Sequence, residues 1–260
     1  AYDEGTFSRY VDQLGILDPA KEVPYREAYL SEYIEGKGYE IVPEEPGTAV
    51  DKEQFTQAFS QAVLALQPQL SLESAGCYVR QRQEVPEALI QLQDKLNRYA
   101  TMTVTYTFGK NEEVLNGDEI HQWVSFDDND QVVVDEAMVS DYVERLAKKY
   151  NTAYTTRKFK TSYGQEVEVT GYYGWRIDQK AEAAALKEVI LSGESQSREP
   201  EYSQTGASFD ENDYGNTYAE VNLTAQHMFL YVDGNKVMES DFVSGNVARG
   251  FATPPGIFGI

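Results

Sequence analysis

Residues 216–241 leave the backbone few options. Tyr218, Glu220 and Asn222 alternate with Ala219, Val221 and Leu223, the period of two that places successive side chains on opposite faces of a strand. After Thr224-Ala225-Gln226, a second strand runs from His227 through Phe229 and Tyr231. Asp233-Gly234-Asn235 then provides a tight turn, since Gly and Asn accept positive φ at little cost. The end of the chain is therefore expected to be an antiparallel meander, leading into Ser240-Asp241-Phe242-Val243-Ser244-Gly245 and closing on Thr253-Pro254-Pro255-Gly256-Ile257-Phe258.

Upstream, helical and hairpin patterns come in the same order twice. Phe7, Tyr10, Val11 and Leu14 share one helical face, as do Val139, Tyr142, Val143, Leu146, Ala147 and Tyr150. Ser8-Arg9-Tyr10-Val11-Asp12-Gln13-Leu14 and Ser140-Asp141-Tyr142-Val143-Glu144-Arg145-Leu146 are alike in letter too, which predicts an internal repeat. Each helix is followed by a hairpin pattern, turning at Gly36-Lys37-Gly38 and at Ser162-Tyr163-Gly164. Each hairpin leads to an aromatic residue with an Ile two positions on, Tyr39/Ile41 and Trp175/Ile177, and then to a helix started by Asp51 or Asp178. Gln54 is placed to reach back to Asp51. Pro43-Glu44-Glu45-Pro46-Gly47 is the extra loop of the first copy.

Between the copies, Pro86 opens a helix with Leu89, Leu92, Leu96 and Tyr99 inward. Residues 101–108 then alternate strictly, Met102, Val104, Tyr106 and Phe108 against Thr101, Thr103, Thr105 and Thr107. The Thr face suits water or a sugar. A short helix around Ile120, Trp123 and Val124 and a strand at Val132-Val133-Val134 complete the segment.

The fold expected is α+β: tandem helix-hairpin-helix modules followed by an incomplete antiparallel β meander. The domains fall at 1–133, a first module with inserted helix and strands, 134–212, a second module, and 213–260.

Composition narrows the partners. With 22 Lys plus Arg against 43 Asp plus Glu, the net charge of −21 opposes nucleic acid phosphates and anionic lipid surfaces. Such acidity serves solubility or cation binding. A hydrophobic fraction of 41% and 19 Tyr indicate packed cores rather than disorder. The single cysteine rules out an internal disulfide and a Cys-rich zinc site. No apolar run is long enough to cross a membrane. The chain starts at Ala1 rather than Met, which suggests a removed leader or anchor.

The closing strands resemble the opening of the L,D-transpeptidase catalytic domain, the cysteine enzymes that cross-link bacterial peptidoglycan. The residues that carry the likeness are Gln226-His227 entering an aromatic strand, Asp233-Gly234 at the turn, Val243-Ser244-Gly245, and the Thr-Pro-x-Gly-x-Phe run from Thr253 to Phe258. The family's Ser-His-Gly-Cys nucleophile motif lies downstream of that run and does not occur in this sequence, so the chain is expected to be a non-catalytic front portion. The second copy also resembles the peptidoglycan-binding module that precedes this catalytic domain in Gram-positive bacteria, through Phe159-Lys160-Thr161 with Gly164, Gly174-Trp175-Arg176-Ile177-Asp178, and Arg198-Glu199-Pro200-Glu201-Tyr202-Ser203.

The resemblance implies acyl transfer in the complete protein. A cysteine thiolate attacks a carbonyl of a donor stem, a terminal D-residue leaves, and an amine of a second stem resolves the thioester. It also implies peptidoglycan, as glycan or stem peptide, for a partner. The location it implies is extracellular and cell-wall facing, with a membrane anchor outside this chain. The rival reading is a non-enzymatic wall-binding or spacer protein.

No catalytic residue can be numbered. Cys77, in Ala75-Gly76-Cys77-Tyr78-Val79, has no neighbouring base and reads as buried. His121 and His227 are isolated and read as structural or surface groups rather than metal ligands. Asp127-Asp128-Asn129-Asp130 lacks the Gly and Glu of a calcium loop and reads as a turn. No cofactor fingerprint or metal site is expected. The candidate binding residues are Tyr172, Tyr173 and Trp175, whose flat rings suit the apolar faces of sugars, although Trp175 itself better suits a core anchor repeating Tyr39.

Overall fold

A computed structural model gives the fold of residues 3–79, 84–210 and 212–259. The chain separates into two packed units, 1–97 and 98–260.

In the first unit, helix α1 (Glu4–Asp12) starts where the Asp3 carboxylate accepts the Thr6 N–H at 3.0 Å. Strands β1 (Tyr29–Leu30) and β2 (Ile41–Val42) pair antiparallel. Helix α2 (Lys52–Leu64) is capped by Asp51, whose carboxylate takes the N–H groups of Glu53 and Gln54 at 2.9 and 3.0 Å. Val11, Phe55 and Cys77 form a small core, with Phe7, Leu14, Ala58 and Phe59 packed around it. Tyr10 faces solvent. Helix α3 (Glu87–Ala100) contributes Asn97, which brackets the Tyr39 backbone by accepting its N–H at 2.7 Å and donating to its carbonyl at 2.8 Å.

The second unit opens with β3 (Val104–Phe108) and β4 (Asn111–Leu115), paired antiparallel, then α4 (Gly117–Trp123) and the hairpin β5 (Val124–Phe126) and β6 (Val132–Val134). At that hairpin's turn Asp127 accepts the N–H groups of Asn129 and Gln131 at 2.9 and 2.8 Å. Helix α5 (Glu136–Tyr150) is followed by the hairpin β7 (Thr156–Lys160) and β8 (Glu166–Thr170), the short β9 (Arg176–Ile177), α6 (Gln179–Ser192), β10 (Gln196–Arg198) and β11 (Tyr202–Gln204). Strand β10 lies parallel to β3, and β11 pairs with β9.

The alternation in β3 decides its faces. Val104, Tyr106 and Phe108 are buried in one core with Val139, Tyr142, Val143 and Leu146 of α5 and Leu186 and Ile190 of α6. Thr105 and Thr107 lie half-buried on the opposite face. Glu182 of α6 sits within the apolar region at 0% exposure, made tolerable by three donors. They are the Tyr106 hydroxyl, Arg198 Nη2 at 3.0 Å and the Glu201 N–H at 2.7 Å.

The end of the chain is a three-stranded antiparallel meander of β12 (Tyr218–Asn222), β13 (His227–Val232) and β14 (Asn235–Asp241). Asp233 and Gly234 both have positive φ, as the tight turn requires. Strand β14 is exposed along its length and pairs only with β13 among the described residues.

The alternation in β12 is real, but the face it buries is the polar one. Glu220 is 6% exposed while Val221 is 49% exposed. Tyr218, Glu220 and Asn222 lie opposite Tyr231, Phe229 and His227, and this aromatic and acidic face is covered by the β7–β8 hairpin.

Candidate functional site

Four local structures converge in the second unit: the β7–β8 hairpin, the aromatic segment 172–175, the loop 206–217 and the meander. The hairpin turn meets the meander through Ser162. Its N–H donates to both Glu220 carboxylate oxygens, at 3.1 and 2.9 Å, and its hydroxyl also contacts Glu220 and stands 2.7 Å from the Tyr231 hydroxyl. Aromatic edges close the junction. Phe159 lies 5.8 Å from Tyr218 and Tyr163 lies 5.5 Å from Phe229, centroid to centroid.

Behind the loop stands a buried ion pair. Arg157 Nη2 donates at 2.7 Å to Asp213 Oδ2, at 2.6 Å to the Thr152 carbonyl and at 2.7 Å to the Tyr173 carbonyl. Thr152 donates its hydroxyl to the same Asp213 oxygen. Asp213 is 4% exposed, so this pair is shielded from water and its geometry is fixed by several partners at once. Gly174 is obligatory here. Its φ is +126°, and a Cβ would run into Arg157, Thr152 and Asp213.

The three candidate binding residues take different positions. Tyr172 is exposed, with its ring 5.5 Å from Phe258 and its hydroxyl donating to the Gly259 carbonyl at 3.3 Å. Tyr173 is half-buried. Its hydroxyl accepts the Ala207 N–H at 2.9 Å and lies 3.5 Å from the Asp213 carbonyl. Trp175 is half-buried too, stacked on Phe209 at 3.8 Å and 12° between planes, with Nε1 donating to the Ser208 carbonyl at 2.6 Å. Tyr173 and Trp175 thus hold the loop from behind, and Tyr172 alone of the three is exposed.

In front of the loop is a polar cavity of about 480 Å³. Ser208, Asp210, Asn212, Asn216 and Thr217 line it from the loop, and Asp233 lines it from the β13–β14 turn. None of its lining residues is basic, and none was a candidate binding residue in the sequence, where Asp233 was read as part of a tight turn. The only local signal for it was a run of Asn, Asp, Ser and Gly, which marks any loop.

Elsewhere, Cys77 is fully buried and burial pushes its thiol pKa up, the opposite of what a thiolate nucleophile needs. His121 is held below its ordinary pKa by burial. His227 Nδ1 stands 2.7 Å from Asp241 Oδ1 on the meander. Among the described residues, no three His, Cys, Asp or Glu side chains are grouped to hold a metal ion.

Residues 89–198 match the family model described as "Putative peptidoglycan binding domain". That match covers α3 through β10 and so includes the hairpin, the aromatic segment and the buried Glu182. Two solved structures extend the likeness. A crystal structure of an Enterococcus faecium L,D-transpeptidase carrying a Cys-to-Ser substitution is 36% identical over 64% of this chain, with a TM-score of 0.50. The chain is similar to L,D-transpeptidases. The Ldtfm–avibactam carbamoyl enzyme gives the same result, 35% identical over 65% of this chain with a TM-score of 0.51. This L,D-transpeptidase-like chain spans 65% of the length of each of those structures. No curated protein sequence matches it.

Proposed function

We propose that the chain is the peptidoglycan-binding and positioning region of a cell-wall cross-linking L,D-transpeptidase, and that it holds substrate without transforming it. The observation that carries this reading is the Ser162–Glu220 junction. It fixes a hairpin of the peptidoglycan-binding family match directly onto strands whose sequence resembles the transpeptidase domain. A binding module rigidly joined to those strands is an aiming device: what the module grips determines what lies before the strands.

In this reading the binding face is built around Tyr172, Tyr173 and Trp175 and the loop they support. The exposed Tyr172 ring is available to a glycan, and the other two set the loop's shape. The cysteine that performs acyl transfer is supplied outside these residues, because the buried Cys77 cannot serve. The place of action is extracytoplasmic, facing the wall, with anchoring to the membrane by a segment other than the described helices, none of which is long and apolar enough to cross one.

The test is co-sedimentation of the 260-residue chain with purified peptidoglycan, against a control protein of equal acidity. Enrichment in the pellet, reduced by Tyr172→Ala, is expected. Equal recovery of chain and control would remove the binding role.

A further inference from the structure

We propose that segment 253–259 is a strap that competes with peptidoglycan for the rings of Tyr172 and Tyr173, so that the binding face opens fully only when the segment lifts. The proposal rests on the wall-binding reading and adds to it a device that regulates the same face.

The first argument is what the segment touches. Phe258 sets its ring 5.5 Å from the Tyr172 ring, and the Gly259 carbonyl accepts the Tyr172 hydroxyl at 3.3 Å. A Cβ on Gly259 would lie 3.6 Å from Tyr173 Cδ2, so the end of the segment runs beside that ring as well. A sugar stacked on Tyr172 needs the ring and gains from the phenol proton. Phe258 crowds the one and Gly259 takes the other.

The second argument is the seat. Gly171 has no Cβ where the Ile257 backbone passes, and a Cβ on Gly256 would meet the Thr170 carbonyl at 2.8 Å. The two stretches of backbone thus approach through a glycine on each side, at the end of β8. A loosely trailing segment would show no such fit.

The third argument is how lightly the segment is held. Among the described residues, positions 254–258 make no hydrogen bond; the segment's polar ties are the Tyr172–Gly259 bond and the Gly245 N–H donated to Thr253 Oγ1 at 3.0 Å. Phe258 is 45% exposed. A stretch with few buried contacts and no backbone ladder belongs to the parts of a fold that open at low free-energy cost. It also carries the Thr-Pro-x-Gly-x-Phe run, so a ligand that lifts it moves a stretch that resembles the transpeptidase domain.

The experiment measures the affinity of the full chain for purified peptidoglycan by co-sedimentation, in the wild type, Phe258→Ala and Gly171→Ala. The first variant removes the strap's ring and the second its seat, while Tyr172 and Tyr173 stay in place. Both should bind about threefold more tightly, as expected if the strap occupies the face about two-thirds of the time. In the wild type, solubilised peptidoglycan fragments should speed protease cleavage after Phe258. Equal or weaker binding by either variant, or cleavage that the fragments leave unchanged, would overturn the proposal. Weaker binding by F258A would make Phe258 part of the binding face instead. If all three chains pellet alike and above an acidic control protein, the strap falls and the wall-binding reading stands; if none exceeds the control, both fall.

Discussion

Glu220 and Ser162, 58 residues apart in the chain, form a buried carboxylate-to-turn contact in which one N–H is shared by both carboxylate oxygens. Glu220 lies on the face of β12 turned toward the hairpin and is itself buried, while Ser162 reaches solvent. Replacing it by Ala removes the acceptor of the Ser162 N–H and hydroxyl, which the exposed Ser162 then gives to water, and should cost about 1 kcal/mol. Glu220→Gln, which keeps one acceptor, should cost less. Urea unfolding of both variants checks the order; equal losses would mean that the contact contributes by shape alone.

Burial is the largest influence on Glu182 and raises its carboxyl above the ordinary value of 4.5, against the lowering effect of Tyr106, the Glu201 N–H and Arg198. A carboxyl with a raised pKa in the folded state binds its proton more tightly folded than unfolded. Its contribution is therefore fully present below the unfolded value and is lost as pH rises through the folded one. Stability of the wild type relative to Glu182→Gln should fall as pH increases from about 4.5. Denaturation midpoints of the pair across pH 4–8, a range set by ordinary carboxyl titration, would show it; parallel curves would refute it.

Trp175→Phe retains stacking on Phe209 but loses the Nε1 donor to Ser208, and should cost about 1 kcal/mol. Trp175→Ala removes the ring as well and should cost about 3 kcal/mol, with loss of order in loop 206–217. Hydrogen exchange of the Ala207 and Ser208 amides, both bonded to the Asp213 carbonyl, reports that disorder directly.

At Gly171 a side chain would collide with the backbone of Ile257. Gly171→Ala should displace the 253–259 segment and free the Tyr172 ring from Phe258. Faster protease cleavage after Phe258, with the melting of residues 98–210 changed little, is the expected result. Unchanged cleavage would show that the segment adapts.

Local chemistry was legible in the sequence, and long-range chemistry was not. The alternation of residues 104–108 and the helix starts at Asp51 and Asp178 depend on neighbours a few positions away, and the structure shows them directly. The parallel pairing of Gln196 with Val104 joins segments far apart in the chain, and no local pattern announces it. The three buried acids were missed for the same reason. Glu182, Asp213 and Glu220 take partners 76, 56 and 58 residues away, so each reads locally as a solvated charge. Glu220 misleads further, because its strand offers Val221 as the obvious inward residue and the hairpin's donors select the other face. Trp175 was legible only as an aromatic; that its indole supports Ser208 depends on where loop 206–217 folds.

The turn at Asp233 belongs to the meander, while the loop that shares its cavity is braced by Trp175 and Tyr173 within the module. Ser162 with Glu220 and Tyr231 also ties the hairpin of that module to β12 and β13, so the two parts are joined by direct contacts as well as by the chain. On the wall-binding reading, a pull on the module would thus reach β12 and β13 through the hairpin turn as well as through the loop.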